Sequence, residues 1–247
     1  MDTLFFTLLV IGIVSAFIGT LAGGGGLITL PAMMLVGVPI QVGIATNKFS
    51  SGIAALTSIF YLLKNKHLSV KTIIVNVCIA MIGGMSGALI TSHVTEQTMN
   101  IMALILLIFA LIITLKNKQW VSSVEEKSKD TTIVSNTVPF FIAAYDGGFG
   151  PGSSTFGILH YMNQKNTYMK AVQLTRVLIF GSCCGAFIIF YQTGFVQWNY
   201  AIAMAIGSAI GSQIGLIALP KIPLKIAKNL LIIIIFLLIG QVVFKMI

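Results

Sequence analysis

Charge is scarce in this 247-residue chain: 9% of its residues are charged, against about 25% in an ordinary soluble domain. Acids are scarcer still, at six, and arginine occurs once, as Arg176. That poverty excludes a soluble fold. The three cysteines, Cys78, Cys183 and Cys184, all fall in apolar stretches. Two are adjacent, so no disulfide framework is expected, and the thiols read as small helix-packing residues. His67, His93 and His160 lack a second histidine or cysteine at ligand spacing, so neither a metal nor a cofactor is expected. HExxH, GxSxG and GxxxxGK[ST] sequences are absent as well, which argues against an intramembrane enzyme and an ATP-driven motor. The N-terminal Met1-Asp2-Thr3 carries no lysine or arginine. The first apolar segment therefore reads as an uncleaved helix rather than a signal peptide.

What the chain does have is hydrophobicity, 57% of residues with a mean hydropathy of +0.99. Stretches long enough to cross a bilayer, roughly 17–25 residues, fall near 4–22, 43–63, 71–91, 98–115, 132–146, 168–191, 198–219 and 226–245. The 132–146 segment is short, and two others, 27–38 and 153–162, are shorter still. The reading is an all-α, polytopic membrane protein. Residues 1–115 form a first membrane repeat, 116–131 a charged linker and 132–247 a second repeat. Trp120, Trp198, Tyr161 and Tyr191 read as anchors at the membrane interface.

Glycine carries the repeat. The run Gly23 to Gly26 recurs 124 positions later as Gly147, Gly148, Gly150 and Gly152. Each run is followed 60 positions on by a GxxxG ladder, Gly83/Gly87 and Gly207/Gly211, which reads as a helix contact. The lysines then choose the topology. If 27–38 and 153–162 do not cross, the loop lysines divide eight against five between the two faces. If both carry the chain back across, they divide twelve against one, with Lys245 alone outside. Loops on the cytoplasmic side are lysine-rich, so the second arrangement is favoured. It makes the halves inverted repeats, each with four full spans and one short helix after a glycine-rich break, and it puts 116–131 in the cytoplasm. A twelve-residue helix covers only about 18 Å, so irregular glycine backbone must supply the rest. Such backbone survives at membrane depth only beside protein or a water-filled cavity.

Three ionisable side chains lie within or at the edge of apolar spans: Lys48, Asp146 and Arg176. Charge at that depth is costly and by default functional. Aligning Ala45 with Ala171 sets Asn47 opposite Gln173 and Ser50 opposite Arg176, all near the helix that follows each short segment. With the backbone amides of Gly24, Gly25, Gly26, Gly148, Gly150 and Gly152, these donors suit a small oxyanion. Two readings stand for Lys48, a substrate contact or a side chain snorkelling to the interface. Two also stand for Asp146, a proton-coupling carboxylate or the counter-ion of a cation such as Arg176.

At Gly23-Gly24-Gly25-Gly26-Leu27 with Pro31, and at Gly148-Phe149-Gly150-Pro151-Gly152, the chain resembles the sulfite exporter TauE/SafE family, toluene-sulfonate uptake permease-like carriers. Thr46-Asn47 and Gln173-Leu174-Thr175 follow at the expected distance, and the likeness covers nearly the whole chain. The resemblance implies a multi-pass permease of the cell membrane for a small anion, sulfite or an organosulfonate, bound between the repeats. Protons are the coupling ion to consider, and the lipid bilayer is the only other partner expected; nucleic acid is not. The second half departs from the first by carrying Gln173 and Arg176 in place of a Thr-Asn pair, so the halves should contribute differently. A passive anion channel and a non-transporting membrane scaffold are the alternatives.

Overall fold

The computed structural model describes residues 2–22, 25–64, 70–95, 97–98, 137–150, 152–164 and 166–218, with isolated helical positions between 101 and 115 and between 226 and 240. The spans expected at 98–115 and 226–245 are thus largely outside the described residues, as are Gly23, Gly24, Trp120 and the whole linker 116–131. Eight helices are described: α1 (Asp2–Ala22), α2 (Gly25–Leu35), α3 (Ile40–Lys64), α4 (Val70–Ser92), α5 (Thr137–Gly148), α6 (Ser153–Asn163), α7 (Tyr168–Gln192) and α8 (Trp198–Ala218). No strand occurs among them. Four helices, α1, α4, α7 and α8, are both long and apolar enough to cross a membrane. α3 has the length, at 25 residues, but spends part of its apolar surface on Asn47, Lys48, Ser50 and Ser51. α2 and α6 have 11 residues each.

Local chemistry sets the ends of these helices. Gly37, at φ 87°, closes α2: Val38 N–H donates to Met33 O at 3.0 Å and Gly37 N–H to Met34 O at 3.1 Å. That paired ending needs a left-handed residue, which glycine adopts without a Cβ clash. Thr167 caps α7 by accepting the Lys170 N–H, satisfying an otherwise orphaned donor.

Helix directions follow from which residues meet. Leu8 and Val42 share a cluster with Ala203 and Met204, while Thr20 and Ser58 both reach Ser212. Hence α1, α3 and α8 point the same way, and α2 carries the chain back between α1 and α3. Gly83 faces Phe140 and Gly87 faces Ala144, while Gly181 faces Val77 and Gly185 faces Met81. So α4, α5 and α7 also share a direction, with α6 as the return. The two sets are opposed: on α3 and α7, Ile44 clusters with Phe190 and Ile59 with Val177.

The same contacts correct the repeat register. Gly25 and Ser153, Ile40 and Tyr168, Val70 and Trp198 open matching helices, each pair 128 positions apart. Gly87 packs on Gly148, and its counterpart Gly215 packs on Thr20, the same pair shifted by 128. Gly84 abuts Ser182, and Ser212 donates to Ala54 O at 3.3 Å, again the same pair displaced by 128. The offset of 124 seen in the glycines is therefore one helical turn out. Small residues spaced four apart along α8, Gly207, Gly211 and Gly215, make a four-residue slip nearly invisible in sequence.

Each half presents its glycine ladder to the first helix of the other half, α4 to α5 and α8 to α1. A Cβ on Gly87 or Gly211 would collide with a backbone carbonyl of the facing helix, so the close approach depends on glycine. Two side-chain readings change here. Tyr161 is buried, its hydroxyl donating to Asn76 Oδ1 at 3.1 Å, and is no interface anchor. Cys78 is exposed on α4 rather than packed. Tyr191 and Trp198 do lie exposed, in an aromatic cluster with Phe49 and Phe187.

Candidate functional site

Where the halves meet, residues from seven helices surround a cavity of about 40 Å³, room for a few water molecules. α1 supplies Ser15 and Gly19; α2 supplies Gly25, Gly26 and Thr29; α3 supplies Asn47 and Ser51. Across from them stand Asp146, Gly150, Ser153, Ser154, Arg176 and Ser208. The lining is mostly hydroxyls and glycines with the Asn47 amide and two charged residues, Asp146 and Arg176; Ala16, Ala54 and Ile179 are its apolar part, and no aromatic ring borders it.

The three buried charges are not arranged as a triad. Lys48, 1% exposed, does not snorkel. Its ammonium donates to the backbone carbonyl of Asp146 and lies 3.4 Å from that residue's Oδ1. Ser153 Oγ donates to the same Oδ1 at 2.5 Å, and Cys183 Sγ approaches Oδ2 at 3.8 Å. Asp146 is thus the counter-ion of Lys48, and the structure does not pair it with Arg176. Arg176, 9% exposed, donates to Thr20 Oγ1, and no carboxylate reaches it among the described residues.

The corrected register explains this layout. Lys48 and Arg176 are equivalent positions, 128 apart, and each cation reaches the C-terminal turns of the other half's first helix. Carbonyls at a helix C-terminus carry partial negative charge and favour a cation. Lys48 meets in addition the carboxylate of Asp146, whereas Ile18 stands at the position equivalent to Asp146. Among the described residues, one cation is neutralised and the other is not. Asn47 and Thr175 become the matched pair, in place of Asn47 and Gln173.

Other residues singled out from sequence fall into three groups. Gly25, Gly26, Asn47, Asp146, Gly150 and Arg176 line the cavity together. Lys48 stands behind it, bound to Asp146. Ser50, Gly148, Gly152 and Gln173 are outside the lining. Ser50 donates to Asn47 O at 3.2 Å, while its neighbour Ser51 faces the cavity and bonds Asn47 Oδ1 at 3.2 Å. Gly148 is helical and packs on Gly87. Gly152, at φ 81°, precedes α6, and Gln173 is buried in α7. Gly24 is outside the described residues. Sequence reasoning missed Ser15, Thr29, Ser153, Ser154 and Ser208. Hydroxyls are common in membrane helices, and only their convergence distinguishes these.

A family model for "Sulfite exporter TauE/SafE" matches residues 8–242. The chain belongs to that family. It is 33% identical to "Probable membrane transporter protein ORF9" of a Sinorhizobium species, over 92% of this chain and 87% of that protein. It is 27% identical to "Probable membrane transporter protein YfcA" of Escherichia coli K12, over 87% and 79%, and 25% identical to "Probable membrane transporter protein YdhB" of Bacillus subtilis, over 88% and 91%. No solved structure matches the chain significantly. Family, relatives and apolar helices together make this a multi-pass membrane transporter of the cell membrane, not an enzyme.

Proposed function

We propose that the protein is a secondary transporter for a small anion, sulfite or a compact organosulfonate, held between two inverted repeats. The observation that carries the reading is Arg176: a buried guanidinium on a cavity wall with no carboxylate among the described residues to cancel it. An uncompensated buried charge is expensive, and an anion entering the cavity would offset that cost while the surrounding hydroxyls and the Asn47 amide replace its hydration shell. The opposed directions of matching helices support the inverted repeat. Substrate would sit at the breaks between α1 and α2 and between α5 and α6, and rocking one repeat against the other would expose it alternately to the two sides.

Counterflow of radiolabelled anions in proteoliposomes tests this. Sulfite should exchange with a saturating rate, with sulfoacetate competing better than taurine, whose ammonium would face Arg176. Asn47→Ala should raise the half-saturating sulfite concentration about tenfold, roughly 1.4 kcal/mol. Flux that never saturates would instead indicate a channel, and absence of flux for every anion would indicate a scaffold.

A further inference from the structure

We infer that Asp146 is a proton-carrying group: when its carboxylate takes up a proton, the charge of Lys48 is no longer cancelled and adds to that of Arg176, so that a dianion crosses together with one proton. This rests on the anion-carrier reading above and adds to it the coupling ion and the charge of the substrate.

Charge counting motivates the inference. With Asp146 ionised, the two cations and one carboxylate leave a single positive charge at the site. With Asp146 protonated they leave two. Asp146 lines the cavity and its carboxylate accepts from Ser153, another lining residue, so a proton entering that space has a short path to it. Its surroundings accept both states. Ser153, now donating to Oδ1 at 2.5 Å, can turn its hydroxyl to accept from a neutral carboxyl. Lys48 keeps the Asp146 backbone carbonyl as an acceptor when the carboxylate loses its charge, so neutralisation does not strand the ammonium.

The other groups facing Asp146 do not compete for that role. Lys48 comes from α3, Ser153 from α6, and Cys183 from α7 at 3.8 Å. Arg176 shares the cavity wall, and Tyr145 precedes Asp146 in the chain. α4 packs on this stretch through Gly84 and Gly87, which titrate nothing. At the mirror position the first half has Ile18, so the stoichiometry is one proton and not two. The exchange balances simply: one carboxylate oxygen gains a proton on the side where substrate loads, and the same O–H bond is broken on the side where substrate leaves.

The test uses the purified full chain in liposomes with the membrane voltage clamped, a trapped pH dye, and two dianions that stay fully ionised near neutral pH, thiosulfate and sulfoacetate. Sulfite counterflow at equal pH is measured alongside. Entry of either dianion should acidify the lumen by about one proton per anion. In Asp146→Asn the proton-to-anion ratio should fall at least tenfold and the remaining exchange should lose its pH dependence, with Asp146→Glu restoring part of both. Dianion entry without proton movement in the parent protein overturns the inference and leaves the carrier intact. Sulfite exchange with neither dianion moving also overturns it, because a doubly cationic site is then never used. Loss of all anion flux overturns the carrier reading itself.

Discussion

Lys48 and Arg176 show how one added acid gives two equivalent side chains different partners. Lys48 is bound to Asp146 and fully buried, so removing Lys48 alone leaves the Asp146 carboxylate without its counter-ion in low dielectric. Lys48→Met should therefore destabilise the protein by about 3–5 kcal/mol, while Lys48→Met with Asp146→Leu should recover most of that loss. Thermal unfolding in detergent, read as a double-mutant cycle, checks this; additive losses would contradict it. The three charges were legible in sequence because they are rare against an apolar background. Their pairing was not. Asp146 adjoins a glycine run 30 positions from Arg176 and 98 from Lys48, and only the packing of α3 on the second half decides between them. Serines such as Ser15 and Ser208 were illegible for a different reason, since one hydroxyl in a membrane helix is cheap and common.

At the scale of elements, the glycines of α4 and α8 hold the halves together. Gly87→Ala would press a Cβ into the Ala144 carbonyl and force α4 from α5, an overpacking cost of about 1–3 kcal/mol or more. Gly43→Ala, whose nearest neighbour would be a Leu30 methyl at 3.5 Å, should leave the melting temperature nearly unchanged. Equal shifts in the two variants would contradict the account. Helix positions were readable from hydropathy: the segment expected at 153–162 is α6 at Ser153–Asn163, and that at 168–191 is α7 at Tyr168–Gln192. The exact extent of the glycine breaks was not. Gly147 and Gly148 continue α5, because a glycine facing another helix's backbone is as much a packing residue as a breaker, and the left-handed turns fall at Gly150 and Gly152.

For the whole molecule, the two halves are equivalent in packing and unequal in charge. The register of 128 makes Ile18 the partner position of Asp146, so Ile18→Asp should supply Arg176 with the carboxylate it lacks among the described residues. Sulfite affinity is then expected to fall at least tenfold, while a carboxylate placed at exposed Phe141 should not lower affinity in whatever protein remains folded. Sidedness is checked separately. Val94, Phe195 and Val196 pack on one cluster, so residues 93–95, after α4, and 193–197, between α7 and α8, share an end of the bundle. In a cysteine-free background, Gln197→Cys should react with an impermeant maleimide from outside the cell and Asn163→Cys only after lysis; the reverse pattern would overturn the lysine-based orientation. The most direct measurement is sulfite counterflow in proteoliposomes by the parent protein and by Arg176→Ala, with thermal unfolding recorded for both. The account predicts saturable exchange by the parent and at least a tenfold higher half-saturating concentration in a variant that still folds. Equal exchange by the two would contradict an anion site built on Arg176.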